Sequence, residues 1–173
     1  MKTLKLFGIA VALLMAQSIT AQNSAISDNY SDSEIAQMVT LFRAANARDA
    51  FPPSKLQQKF QSDFPKAYDV EWETANELYE VEFEVRYRDI KALYDKSGNL
   101  LMVVEEIRSS ALPAVVRNAA EAKYPKYNFE DVVKIRRGTE IVYKVEMEKS
   151  FSDTEVKLLI KVDGKIIEEQ FDY

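Results

Sequence analysis

Apolar and charged residues alternate along the stretch from Leu78 to Tyr87. From Tyr79 onwards every second residue is apolar, and the residues between them are charged. A period of two is typical of a β-strand that buries one face and exposes the other. The sequence therefore predicts a strand over residues 78–87 whose core face carries Tyr79, Val81, Phe83, Val85 and Tyr87.

Two helices are predicted before this strand. From Ser33 to Ala47, apolar residues recur at spacings of three and four, which indicates an amphipathic helix with Asp32 or Ser33 as its N-cap. A second helix begins at Pro52-Pro53, because proline is well tolerated in a first helical turn. It ends before Pro65, since the residue preceding a proline is disfavoured in the α region. The apolar stripes of both helices are expected to pack on the domain.

Further strand patterns surround the central stretch. Val70 and Trp72 alternate with glutamates, residues 90–94 form the next strand, and residues 100–107 form the last one. The segments between them are short, and a tight connection joins antiparallel neighbours. An antiparallel meander is therefore predicted.

The same order of elements then recurs. The segment from Pro113 to Tyr124 has the spacing of Pro53 to Phe64, and residues 143–147 correspond to residues 79–83. The offset grows from 60 residues at the helices to 66 at the glycine turns, as small loop insertions would produce. The sequence predicts an α+β fold of two tandem units, each a helix followed by an antiparallel β-meander, with an extra N-terminal helix.

The motifs of the first unit resemble those of the PepSY-like family, which are β-lactamase-inhibitor-like (BLIP-like) periplasmic proteins of Gram-negative bacteria. The resemblance lies in the order Phe-Pro-Lys-Ala (64–67), Val-Glu-Trp-Glu (70–73), Tyr-Glu-Val-Glu-Phe (79–83) and Tyr-Asp-Lys-Ser-Gly-Asn-Leu (94–100). It covers residues 64–106 and, more loosely, residues 112–171. It implies a helix followed by an antiparallel sheet, with tandem units able to join their sheets. The second unit departs from the pattern, because it has no aromatic equivalent of Trp72.

The N-terminus has the features of an export signal. Lys2 and Lys5 precede a short apolar run, Leu6–Met15, and small residues end at Ala21. The run is shorter than the roughly 20 residues that span a bilayer. The predicted organisation is a signal peptide (1–21), a polar leader with the N-terminal helix (22–49), and two PepSY-like repeats (50–107 and 108–173). The exported chain is expected in the periplasm or outside the cell.

Composition excludes several functions. The chain has 23 basic and 28 acidic residues, and loss of Lys2 and Lys5 on cleavage moves its net charge from −5 to −7. Nucleic-acid binding needs a cationic surface, so neither nucleic acid nor, after cleavage, a membrane is expected as a partner. Without cysteine or histidine, thiolate and imidazole chemistry are excluded. We expect no metal, no cofactor and no enzymatic activity.

The remaining candidate chemistry is carboxylate chemistry. Glutamates two apart on a strand, such as Glu71 with Glu73 or Glu80 with Glu82, lie about 6.6 Å from each other, a separation that glycosidases use. A solvated sheet face with neighbouring basic residues explains them more simply. Asp95, Ser97 and Asn99 around Gly98 superficially match a calcium loop, but the late glutamate of an EF-hand is missing, which favours a hairpin turn.

Two classes of function are consistent with these features. We favour a secreted or periplasmic non-enzymatic module, binding or inhibitory, that engages a protein or peptide through the polar face of its sheet. The alternative is a small-ligand carrier or carboxylate-based hydrolase with a cavity between sheet and helices. Eight residues in the polar phase are the predicted partner-binding residues: Glu80, Glu82, Glu84, Arg86, Leu93, Lys144, Glu146 and Leu159.

Overall fold

The computed structural model describes residues 26–27, 29–152 and 154–172, so the predicted signal peptide and cleavage after Ala21 lie outside the described residues. The helices in these ranges are α1 (Asp32–Ala44), α2 (Ser54–Asp63) and α3 (Ala114–Lys123), with a single 3₁₀ turn at Ser109–Ala111. The strands are β1 (Arg48–Asp49), β2 (Tyr68–Ala75), β3 (Leu78–Glu84), β4 (Asp89–Asp95), β5 (Leu100–Glu106), β6 (Tyr127–Arg137), β7 (Glu140–Lys149), β8 (Glu155–Lys161) and β9 (Ile166–Asp172).

All nine strands form one antiparallel sheet in chain order, from β1 to β9. The two repeats are joined by β5 and β6, which pair from Met102 opposite Arg137 to Glu106 opposite Val133. The predicted α+β fold of two helix-plus-meander units is confirmed, and the two meanders form a single continuous sheet. The short strand β1 was not predicted from the sequence.

The strand register shows which residues correspond in the two repeats. Trp72 pairs with Val81 between β2 and β3, and Val132 pairs with Val145 between β6 and β7. Val132 therefore occupies the position of Trp72 in the second repeat. The smaller side chain lies under the smaller helix face of α3, where Val116 and Ala120 are buried.

The helices α2 and α3 lie on the same face of the sheet, which we call the α2/α3 face. Pro53 and Pro113 occupy the N-cap positions of the two helices. Under α2, the Phe60 ring contacts the rings of Phe83 and Trp72 edge-on, at centroid distances of 5.0 and 5.3 Å. Of the residues predicted to face the core, Val81, Phe83 and Val85 are buried, and Tyr79 is partly buried against the same core. Val145 and Ile160 are buried in the core of the second repeat.

Helix α1 crosses the opposite face, which we call the α1 face. Its Asp32 carboxylate accepts hydrogen bonds from Thr139 in the β6–β7 turn, and its Leu41 carbonyl accepts one from Asn76 in the β2–β3 turn. The predicted N-cap, Asp32 or Ser33, is wrong, because Ser31 caps the helix in a capping box with Glu34. The apolar stripe packs on the domain as predicted, with Ile35, Val39 and Phe42 buried.

The predicted strand over residues 78–87 is three residues too long. β3 ends at Glu84, and Val85 and Arg88 exchange backbone hydrogen bonds around a two-residue turn. Arg86 and Tyr87 occupy this turn with φ angles of 55° and 62°, the left-handed geometry that fits the twist of a tight hairpin. The prediction that Tyr87 faces the core is therefore wrong, since its side chain is 93% exposed.

Candidate functional site

The structure places most of the predicted partner-binding residues on the α1 face. Glu80, Glu82 and Leu93 share it on β3 and β4, because Glu80 pairs with Leu93 across these strands. Lys144, Glu146 and Leu159 share it on β7 and β8, where Lys144 pairs with Leu159. The continuous sheet thus brings residues of both repeats onto one surface, as the polar phase of the strands predicted.

Three of the eight residues differ from that picture. Leu93 is only 1% exposed and packs in the same core cluster as Ile35 and Val39 of α1, so it does not lie at the surface. Arg86 lies in the β3–β4 turn and not on a strand. Glu84, at the end of β3, accepts a hydrogen bond from the Tyr68 hydroxyl.

The first-repeat part of the α1 face is acidic. Glu71 and Glu73 of β2 pair with Glu82 and Glu80 of β3, which places four carboxylates close together. The Lys91 amine lies 2.7 Å from the Glu82 carboxylate. Burial raises the pKa of Glu80, and the nearby charges of Glu73 and Glu82 raise it further.

The second-repeat part of the face is rich in lysine and arginine. Lys144 forms an ion pair with Glu146, its neighbour on the same side of β7. The Glu140 carboxylate receives Lys161 at 2.9 Å and Arg137 at 2.8 Å. Hydrogen bonds from these two cations lower the pKa of Glu140.

A groove of about 560 Å³ crosses this second-repeat part beside α1. Val39 and Arg43 of α1 form one wall, and β9 contributes Ile167 and Gln170. Its apolar lining residues on the central strands include Met102, Ile135, Val142 and Leu159. Arg43 and Arg137 were not among the predicted residues, because neither the position of α1 nor the pairing of β6 with β5 follows from local sequence patterns.

Charged residues at the seam between the repeats lie on the other face. Glu105 is buried and forms an ion pair with Arg88, and Arg136 lies on the neighbouring strand. Burial lowers the pKa of Arg136, while the charges of Glu105 and Asp63 oppose this shift. Glu105 lies on β5, an inner strand, and not at an edge of the sheet.

The Asp95 carboxylate holds the β4–β5 turn together. It accepts hydrogen bonds from the backbone N–H groups of Ser97 and Asn99, at 2.8 and 2.9 Å, and from the side chains of Asn99 and Tyr30. These are the contacts of a hairpin turn. In the ranges that the structure describes, His, Cys, Asp and Glu form no group of three suited to a metal ion.

One protein-family profile matches most of this chain. The profile described as "Putative beta-lactamase-inhibitor-like, PepSY-like" matches twice, over residues 38–102 and 77–168. The chain belongs to the PepSY-like family. Together the matches cover the strands from β1 to β8, the start of β9 and the second half of α1. Among curated proteins, none matches the chain significantly.

Solved structures with the same fold come from Bacteroides. A DUF2874 family protein of Bacteroides uniformis has a TM-score of 0.61 and 21% identity, over 70% of this chain and 90% of that one. A BLIP-like protein of Bacteroides fragilis has a TM-score of 0.59 and 23% identity, over 70% and 87% of the two chains. One of the "putative periplasmic proteins" of Bacteroides eggerthii has a TM-score of 0.62 and 16% identity, over 70% and 90%. Because these sequence identities are low, what the similarity shows is that the PepSY-like chain shares their fold.

The three α-helices in the described part of this PepSY-like protein have 13, 10 and 10 residues. Among the described residues, none forms a helix that is long and apolar enough to cross a membrane.

Proposed function

We propose that this PepSY-like protein is a periplasmic or secreted binding or inhibitory module without enzymatic activity. It engages a protein or peptide partner through the α1 face of its sheet. The contact surface includes Glu80, Glu82, Lys144, Glu146 and Leu159, with Glu84 and Arg86 at its border.

One comparison between the repeats supports this function above all. Leu93 and Leu159 occupy equivalent positions, opposite Glu80 and Lys144 respectively. Leu93 is buried in the core cluster that contains α1, whereas Leu159 is partly exposed in the groove. Among the described residues, α1 covers this face over the first repeat, and no helix covers the equivalent part of the second repeat. A partner that covered Leu159 would bury this residue in the second repeat as α1 buries Leu93 in the first.

The charges on this face favour a specific contact. The carboxylates of the first repeat and the lysines of the second lie on one rigid sheet, about 20 Å apart across four strand spacings. Opposite charges in a fixed arrangement select a partner and accelerate encounter, while a few apolar side chains supply most of the affinity. Leu159 and Ile167, which is 42% exposed, are such apolar side chains.

The comparisons are consistent with this function. The family description refers to β-lactamase inhibitors, and one similar structure is described as BLIP-like. Another is described as periplasmic, which agrees with the export signal predicted at residues 1–21.

The alternative function is a carboxylate-based hydrolase or a ligand carrier. Its one favourable feature is Glu80, whose raised pKa would suit a general acid. A cavity between the sheet and α2 is not favoured, because Phe60, Phe64, Phe83 and Trp72 are in mutual ring contact there.

The test is affinity capture from periplasmic extract with the exported chain as bait. We compare the parent with the triple variant Glu80→Lys, Glu82→Lys and Glu84→Lys. The matched control, Glu77→Lys, Glu121→Lys and Glu169→Lys, makes the same change of charge at glutamates outside the proposed contact surface, and each of these three glutamates forms a surface ion pair. Exposed pairs of this kind contribute about 0–1 kcal/mol each, so the control should fold, and urea unfolding establishes whether the Glu80 variant, with its partly buried site, folds as well.

We expect a partner that the parent and the control retain and the Glu80 variant loses. If the correctly folded Glu80 variant retains every partner of the parent, the α1 face is not the binding surface.

A further inference from the structure

The groove beside α1 is as long as a short α-helix. Its lining residues come from β5, β6, β7, β8 and β9, five neighbouring strands. Four strand spacings of about 4.8 Å give a length of roughly 19 Å. At 1.5 Å per residue, roughly 13 residues of α-helix span this distance. Helix α1, which lies along one wall of the groove, has 13 residues.

The groove also has the chemistry of a helix-binding surface. Partly or fully buried apolar residues form its centre, and charged residues surround them. An amphipathic helix binds such a surface by laying apolar side chains at i, i+4 and i+7 into the groove. Helix α1 already uses this spacing against the same face of the sheet, through Ile35, Val39 and Phe42.

The excess of positive charge in the groove favours an occupant that carries negative charge. Five cationic side chains line it, against the carboxylates of Glu140 and Glu168. The cations are Arg43, Arg137, Lys144, Lys157 and Lys161. This excess is local, since the whole chain carries a net charge of −5.

Helix α1 follows the same charge rule. Its acidic first turn, with Asp32 and Glu34, lies at the second-repeat end. Hydrogen bonds from Thr139 and the charge of Arg137 lower the pKa of Asp32 there. Its basic last turn, with Arg43, lies near Glu80 of the first repeat. Among the described residues, the only helix on this face thus presents its acidic first turn to the β6–β7 turn of the second repeat, while its Arg43 also lines the groove.

We propose that the groove beside α1 binds an acidic amphipathic α-helix of a partner protein. This proposal rests on the proposed function and specifies the chemistry of the partner. The bound helix lies alongside α1, covers Leu159 and Val142 with its apolar face, and sets its carboxylates against Lys144, Lys157 and Lys161.

Two synthetic peptides test the proposal. Both have about 14 residues, with leucines at the i, i+4, i+7 spacing and helix-favouring alanines. The polar positions are glutamate in the acidic peptide and lysine in the basic one. Fluorescence anisotropy with the exported full chain should show that the acidic peptide binds at least about tenfold more tightly, and that this preference falls as salt is added.

A charge-reversed protein locates the binding site. The variant Lys144→Glu, Lys157→Glu and Lys161→Glu should lose the acidic peptide and gain affinity for the basic one. The control Lys55→Glu, Lys126→Glu and Lys165→Glu changes exposed lysines that do not line the groove, and it should bind like the parent. If the reversed variant fails to fold, the Lys→Gln version of the same triple should still lose the acidic peptide.

Three results would overturn the proposal. These are binding of neither peptide, equal or stronger binding of the basic peptide, and equal loss of the acidic peptide in the control. A dimer in analytical ultracentrifugation that the charge-reversed variant fails to form would assign the groove to a second copy of the chain and overturn the proposal. Since the capture experiment uses natural partners, it can still support the proposed function when both peptides fail.

Discussion

Asp32 and Thr139 are 107 residues apart, yet the Asp32 carboxylate accepts hydrogen bonds from both the backbone N–H and the hydroxyl of Thr139, at 2.9 and 2.8 Å. These contacts fasten the start of α1 to the β6–β7 turn of the second repeat. The other end of the helix is held at the β2–β3 turn of the first repeat, through Leu41 and Asn76. Helix α1 therefore braces the two repeats across their seam and fixes one wall of the groove.

The space for this contact exists because residue 138 is glycine. A Cβ atom there would lie 2.0 Å from the Asp32 carboxylate and 3.2 Å from the Ile35 side chain. We predict that Gly138→Ala destabilises the protein by about 1–3 kcal/mol more than Gly98→Ala, because overpacking displaces α1. Gly98 is the matched control, since its φ is also positive but its nearest contact would be 3.8 Å. Urea unfolding measures both, and equal losses would show that α1 adjusts freely.

Phe83 is the buried residue on which the first-repeat core depends. It is 1% exposed and contacts the rings of Phe60 and Phe64. Phe83→Ala should lower the free energy of unfolding by about 3–5 kcal/mol, as deletion of a packed aromatic side chain does. Tyr87→Ala, four residues away in the exposed turn, should change it by about 0.5 kcal/mol or less. A small effect at Phe83 would contradict the core arrangement.

Glu80 should make stability depend on pH. Because burial and neighbouring carboxylates raise its pKa in the folded state, ionised Glu80 opposes folding at neutral pH. Its favourable contribution is present below the unfolded pKa of 4.5 and is lost as the pH rises through the folded value. We predict that Glu80→Gln is more stable than the parent at pH 7 and that this advantage disappears below about pH 4. Urea unfolding at several pH values checks this. A variant that is less stable at pH 7 would show that Glu80 makes a favourable ionised contact.

The start of the exported chain is a prediction from sequence alone. Cleavage after Ala21 should leave Gln22 as the first residue, because small residues follow the apolar run at that point. Mass spectrometry of protein recovered from the periplasm or the medium measures the N-terminus. Protein that retains Met1 would instead indicate an uncleaved anchor.

Periodicity was sufficient to predict most of the fold. Alternation located β3, prolines bounded α2, and the repeated spacing located α3 and β7 and showed the duplication. The end of β3 was missed because the Arg86-Tyr87 turn has neither the glycine nor the asparagine that usually marks a two-residue hairpin. The cap of α1 was missed although Ser31 and Glu34 have the spacing of a capping box.

The candidate site was predicted less completely, because its shape depends on contacts between distant residues. Leu93 has the same strand phase as Glu80, and only the position of α1 decides that it is buried. The pairing of Met102 with Arg137 bridges the whole α3 segment, and no local pattern specifies it. Strand phase thus predicts which residues share a face, and long-range packing decides which of them remain accessible.

The pairing of β5 with β6 also determines how the protein responds to dilution. If each repeat were a separate molecule, β5 and β6 would be free edges, and the joined sheet would dissociate as concentration fell. In one chain the segment between them, residues 107–126, holds the edges together, and tethers of this kind give effective concentrations on the order of millimolar. The α1 face is therefore complete in every copy of the protein, at any concentration.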